Sequence, residues 1–245
     1  MIRAGRWPAA VVSAVLGVAA ISAHAADPLF GVRPVSYALE IEPDLPALTF
    51  RGRVTATVDV LLPTQVITLH AAELHFGLVQ IVAAAGGPVI PPPIVETRGR
   101  EQTVTLRFAT PLAKGRYRLD LPYRGRIGRE PEGVFALEDA SPLALRRALC
   151  TRLAPAKARF LMPLWDESRY TASFEITAIV AAGEAAASNR PVAHRRVLED
   201  GRIEVRFVAV PALHPGELFL AAGEPGLLCT RSGVPRPVRS GRGDG

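Results

Sequence analysis

The sequence predicts an all-β protein, a mostly antiparallel curved sheet or sandwich. Two observations carry this. From Val35 onward the dominant pattern is period two, with apolar and polar residues alternating as on a half-buried strand. Prolines and glycines interrupt the runs, at Pro43 and Pro46, at Gly86-Gly87-Pro88 and at Thr110-Pro111.

Val35, Tyr37, Leu39 and Ile41 form the first apolar face, which Pro43 and Pro46 end. Phe50, Gly52, Val54, Ala56, Val58 and Val60 alternate with Arg51, Arg53, Thr55, Thr57 and Asp59, a half-buried strand in which Gly52 marks a bulge or a close backbone approach. Val66–Leu69 is a further strand. The run His70 to His75 offers two histidines and Glu73, but a zinc helix needs histidines four apart with Glu beside the first, so a strand running into a turn is the better reading. Leu78 to Ala85 is apolar until Gly86-Gly87-Pro88, and Pro91-Pro92-Pro93 is a stiff linker. Val104, Leu106 and Phe108 share one face, and Tyr117, Leu119, Leu121 and Tyr123 another. Ser141 to Leu149 reads as a short helix, with Ser141 as N-cap and Pro142 in the first turn. Phe174, Ile176 and Ala178, then Ile203, Val205 and Phe207, continue the strand pattern, and Glu217 to Ala221 is the last strand.

The chain opens with Arg3 and Arg6, an apolar run from Pro8 to Ile21, and the small-residue triplet Ala23-His24-Ala25. That order predicts a signal peptide over 1–25, cleaved after Ala25, and a secreted or periplasmic protein. The apolar run is too short and interrupted for a confident membrane span, so no stable membrane anchor is expected. Removing the leader lowers the formal charge from +6 to +4 and leaves a chain sized for one β domain. The basic residues are almost all arginine and are spread along strands without interleaved aromatics, so no nucleic-acid partner is expected. Residues 225–245, rich in Arg, Gly and Pro, read as a disordered tail; its Arg242-Gly243-Asp244 is too short a match to imply adhesion.

The most specific stretch runs from Cys150 to Phe174. Trp165-Asp166-Glu167 has two readings. Paired carboxylates can do acid–base work. Adjacent strand residues point to opposite faces, however, which favours a turn with Trp165 as a core anchor. Thr151, Pro155, Ala158, Arg159, Pro163, Asp166, Glu167, Ala172 and Phe174 together make a spacing that resembles the aminopeptidase N family of zinc metallopeptidases, the M1 peptidases. Leu69-His70-Ala71, Tyr123-x-Gly125, Gly133-Val134-Phe135 and Ser188-Asn189-Arg190-Pro191-Val192 add to the resemblance. The resemblance covers roughly 33–224 and implies the family's N-terminal β domain, here 26–224, without its zinc domain. It makes Pro155, Arg159, Pro163, Trp165, Asp166 and Glu167 a structural motif. It also places Arg152 and Ala154 where the family has the Gln and Glu that reach from this domain into the active site, the Glu helping to bind the substrate's free amino group. Ala154 offers no carboxylate, and Arg152 sets a cation where a cation should bind.

The five histidines, His24, His70, His75, His194 and His214, form no H-E-x-x-H, and no G-x-M-x-N is present. No catalytic or metal residue is therefore assigned and no cofactor is expected on this chain, although full-length family members carry zinc. Cys150 and Cys229 are the only cysteines; export makes a disulfide possible, and spacing alone does not pair them. Two kinds of function compete. One is a non-catalytic domain from a truncated or split peptidase, partnered by a separate zinc domain or another protein. The other is a stand-alone secreted β-sandwich that binds a protein or peptide.

Overall fold

Alternation becomes strands along nearly the whole chain. The structure is a computed structural model that describes residues 31–140 and 145–229. The signal peptide and the Arg-Gly-Asp triplet lie outside the described residues.

Strands β1 (Val32–Asp44) and β2 (Thr49–Val60) form a long antiparallel hairpin. Tyr37, Leu39 and Ile41 on β1 and Phe50, Val54, Ala56 and Val58 on β2 all point inward and are nearly fully buried. Strand β8 (Gly115–Arg126) pairs with β2, and β4 (His75–Phe76) and β5 (Gln80–Ala83) add along its outer edge. On the other side of β1 lies β11 (Ala172–Val180), followed by β14 (Ile203–Phe207) and β13 (Val192–Val197), with β15 (Val210–Leu213) on β11. These nine strands make one large sheet. A three-stranded sheet, β3 (Thr64–His70), β7 (Thr103–Leu112) and β6 (Ile94–Arg98), supplies Ile67, Leu69, Leu106 and Phe108 to the same core. A four-stranded sheet holds β9 (Gly133–Ala140), β10 (Leu145–Arg152), β16 (Leu220–Gly223) and β12 (Ala185–Ser188).

The all-β expectation holds, with the pairing antiparallel except at β1 and β11, which run parallel from Ser36–Ser173 to Ile41–Ala178. The short helix expected over Ser141–Leu149 is not there: Leu145–Arg152 is strand β10, and residues 141–144 lie outside the described residues. Ala148, Leu149 and Cys150 are consecutive and all fully buried. A sheet apolar on both faces satisfies that, and β9 and β16 supply the backbone partners. The last strand begins at Leu220, because Pro215–Glu217 is a 3₁₀ turn. The fold also extends past the expected tail boundary at 225: Pro225–Leu227 is another 3₁₀ turn, and Cys229 is buried.

The two faces of β9 serve different cores. Val134 and Ala136 join the main one. Phe135 joins a small second cluster with Cys150, Phe219, Ala221 and Cys229, where Cys150 and Cys229 are disulfide-bonded with Cα atoms 6.0 Å apart. Gly52 and Gly125 mark close approach. Gly52 sits opposite Tyr123 and Gly125 opposite Phe50, and each ring lies where the glycine's missing Cβ would be. The two rings meet edge-on, 6.2 Å apart.

Candidate functional site

The stretch after β10 begins with an exposed turn. Thr151 is buried and its hydroxyl donates to the Leu220 carbonyl at 3.0 Å, which fixes the strand end. Arg152 then emerges into solvent, Leu153 turns back into the core, and Ala154, Pro155 and Ala156 are exposed. The Lys157 N–H closes the turn on the Leu153 carbonyl at 2.8 Å. The Ala154–Pro155 peptide is cis, and Ala156 has φ of 51°. Gly216 packs beside Ala154, so the 3₁₀ turn before β16 backs this loop. Arg152, at the end of β10, and Ala154, at the start of the turn, are therefore both exposed, on either side of the buried Leu153.

From Ala158 the chain goes inward. The Arg159 Nε donates to Asp166 Oδ2 at 3.0 Å, and the Arg159 backbone N–H donates to the same oxygen at 3.2 Å. The side chains are 13% and 3% exposed, so this pair is a buried one. Arg159 also reaches the Gln102 Oε1 at 3.4 Å. The Asp166 N–H donates to His70 Nδ1 at 3.1 Å, which makes Nδ1 an acceptor and puts the neutral ring's proton on Nε2. Burial, and then the nearby Arg159 guanidinium, hold the His70 pKa below its usual value. His70 and Leu164 exchange backbone hydrogen bonds of 2.8 and 3.1 Å. The Trp165 N–H donates to the Tyr37 hydroxyl at 3.3 Å, and the Tyr123 hydroxyl donates to the Leu161 carbonyl at 2.8 Å. Burial pushes both phenols well above their ordinary range, so both stay neutral, Tyr37 as the acceptor and Tyr123 as the donor. Trp165 is 6% exposed and lies 6.3 Å from the Tyr170 ring.

This geometry bears on both readings of Trp165-Asp166-Glu167. Asp166 is committed to Arg159, and Glu167 turns outward to Arg169 at 2.7 Å. The two carboxylates therefore face different partners and share no proton. Pro163 is buried in the same segment. Pro155, by contrast, lies on the exposed turn with Ala154. Glu73 sits in a turn at φ of 57°, while His75 is exposed on β4, so the histidine-rich run forms no ligand set. Among the described residues no three His, Cys, Asp or Glu side chains converge to hold a metal ion. Sequence reading did not single out Tyr37, Tyr123 or Gln102 as the partners that hold the stretch. The first two looked like ordinary members of apolar faces, and their hydroxyls were the only available signal.

A sequence profile of the Peptidase M1 N-terminal domain matches residues 33–213. Aminopeptidase N of Acetobacter pasteurianus is 30% identical over 197 residues, covering 79% of this chain and 53% of that protein. Aminopeptidase M1-A of Oryza sativa subsp. japonica is 31% identical over 166 residues, covering 67% of this chain and 19% of its own length. Aminopeptidase M1 of Arabidopsis thaliana is 30% identical over 172 residues, 69% of this chain and 20% of that protein. The chain thus spans about half of the bacterial relative and about a fifth of the plant ones.

Proposed function

The chain belongs to the family of Peptidase M1 N-terminal domains, and from that premise we propose that it is the exported N-terminal β domain of an aminopeptidase N-like protein, a scaffold that serves a zinc domain rather than binding the metal itself. The observation that carries this is the match itself, which runs over residues 33–213 and falls on the family's N-terminal domain. The described residues do not fit zinc, since no set of donors converges, and no chemical step is routed through a metal here.

Its own residues scaffold and present. The buried Arg159–Asp166 pair, His70 and the two phenols hold the stretch against the core, while Arg152 and the turn residues 154–156 face outward. A separate zinc peptidase domain is the partner this turn suits. In that partnership Arg152 disfavours a substrate's amino group and Ala154 cannot hold it. Export is supported by the charged start, the apolar run and the Ala23-His24-Ala25 site, and the Cys150–Cys229 bond suits an oxidising compartment. No helix among the described residues is long and apolar enough to cross a membrane.

The test is an assay of the purified chain with added zinc on aminoacyl chromogenic substrates. No turnover above buffer is expected. Chelator-sensitive turnover that co-purifies with stoichiometric zinc overturns the reading.

A further inference from the structure

The outward face of β8 carries Arg116, Arg118, Asp120, Pro122, Arg124 and Arg126, alternating with the buried Tyr117, Leu119, Leu121 and Tyr123. Residues two apart on a strand stand about 6.8 Å apart, so the four guanidiniums are strung along roughly 33 Å. The neighbouring strands add basic and polar side chains. Arg51 on β2 and His75 on β4 flank Arg124, and Arg53 flanks Pro122. Three acids on this face are already engaged; among the described residues Glu40, opposite Arg53, is not. Asp59 is held by Arg116 at 2.7 Å and Arg33 at 2.9 Å, which bring its carboxyl down to about 2. Asp120 is held by Arg53 at 3.0 Å, and Glu42 by Arg51 and Arg202. Among the described residues Arg118, Arg124 and Arg126 have no acidic partner.

The row also joins two concavities. Arg118 lines a hollow of about 270 Å³ with Arg53, Gln80 and Asp120. Arg124 and Arg126 line a groove of about 1550 Å³ with Arg51 and His75. That groove also carries Glu42, Asp44, Glu73, Glu130, Glu132 and Glu184, of which Glu42 is paired with Arg51 and Arg202 and Glu132 with Lys157, so the free guanidiniums sit on its β8 wall. A small ligand would need one such hollow; a row that continues from one to the other suits a long one.

We propose that the outward face of β8 is a binding track for an acidic polysaccharide, a linear chain bearing carboxylate or sulfate groups. Charge complementarity carries it: four exposed guanidiniums recur along one straight strand, and three of them, Arg118, Arg124 and Arg126, have no acidic partner among the described residues. Guanidiniums take carboxylate and sulfate oxygens in paired hydrogen bonds. Nucleic acid is disfavoured, because the exposed large apolar side chains among the described residues include no aromatic ring, and Phe160 in the groove is half-buried beneath Lys157.

The experiment titrates the full chain with a heparin fragment, with polygalacturonate and with oligothymidylate, at 50 and 200 mM NaCl. Binding to one or both glycans is expected, weakening with salt. R118S/R124S/R126S removes three side chains that the fold does not use. It is expected to bind at least tenfold more weakly and to flatten the logarithmic salt slope by about two. R100S/R195S, which removes two exposed arginines elsewhere, is expected to bind like the parent. The proposal is overturned by the absence of glycan binding at 50 mM NaCl. It is equally overturned by a triple variant that binds like the parent, or by tighter binding to oligothymidylate than to either glycan.

Discussion

Asp166 accepts from both the side chain and the backbone of Arg159 while almost fully buried. Removing one member of such a pair strands the other charge out of water. Asp166→Ala is expected to cost about 3–5 kcal/mol in urea denaturation. Trp165→Ala should cost a similar amount, about 3–5 kcal/mol, for a different reason: the cavity and lost apolar burial of a large core ring. His70 adds a pH dependence. Its folded pKa is depressed by burial and by Arg159, against the favourable but smaller pull of Glu167 and Asp166. The unfolded imidazole, with a pKa of about 6.5, therefore takes up its proton first as pH falls. The contribution is fully present above that value and is lost as pH drops below it toward the folded pKa. His70→Asn keeps an acceptor for the Asp166 N–H, and its stability is expected to change less between pH 7 and 5 than the parent's. At this scale the sequence disclosed Trp165 as an anchor, because a lone tryptophan before two acids suits a turn. It did not disclose that Asp166 answers Arg159, since a 3₁₀ turn sets that distance and alternation does not report it.

Period two identified β2, β7, β8, β11 and β14, where one face is buried and the other wet. It was misleading where both faces are covered. Around β10, Ala148, Leu149 and Cys150 carry no polar alternation, and the Ser-Pro opening upstream resembles a helix start. The second apolar cluster makes that segment a strand, and nothing local announces the cluster. Strand β6 was hidden in another way: it is mostly exposed and follows a triple proline. The anticipated close approach at Gly52 is real, and its partner is Tyr123. A methyl group there would fall 2.3 Å from the Tyr123 ring. Gly52→Ala is therefore expected to displace a ring whose hydroxyl holds Leu161, costing about 1–3 kcal/mol as overpacking does. A thermal melt that matches the parent's would show that the ring moves freely.

The whole molecule is stapled once. The disulfide spans 79 residues of sequence and ties the end of the described chain to β10. Closing so long a loop in the unfolded state is worth about 4 kcal/mol in the chain-entropy account. Cys150→Ser with Cys229→Ser is expected to lose that much in urea, and dithiothreitol should reproduce the loss in the parent alone. The sequence showed the all-β class but not the order of strands in the large sheet, because alternation names no partner. The parallel seam between β1 and β11 is the clearest case, since Ser36 waits for Ser173. That seam also sets a timetable for biosynthesis. The β1–β2–β8 ribbon can form as soon as it leaves the ribosome, but the other edge of β1 stays open until the polypeptide has reached Ala178. Until then a nascent molecule exposes an unpaired backbone edge, and long-range closure of this kind is slow. Chains stopped at residue 160 are thus expected to be cut by trypsin within minutes, while chains stopped at residue 229 resist for hours.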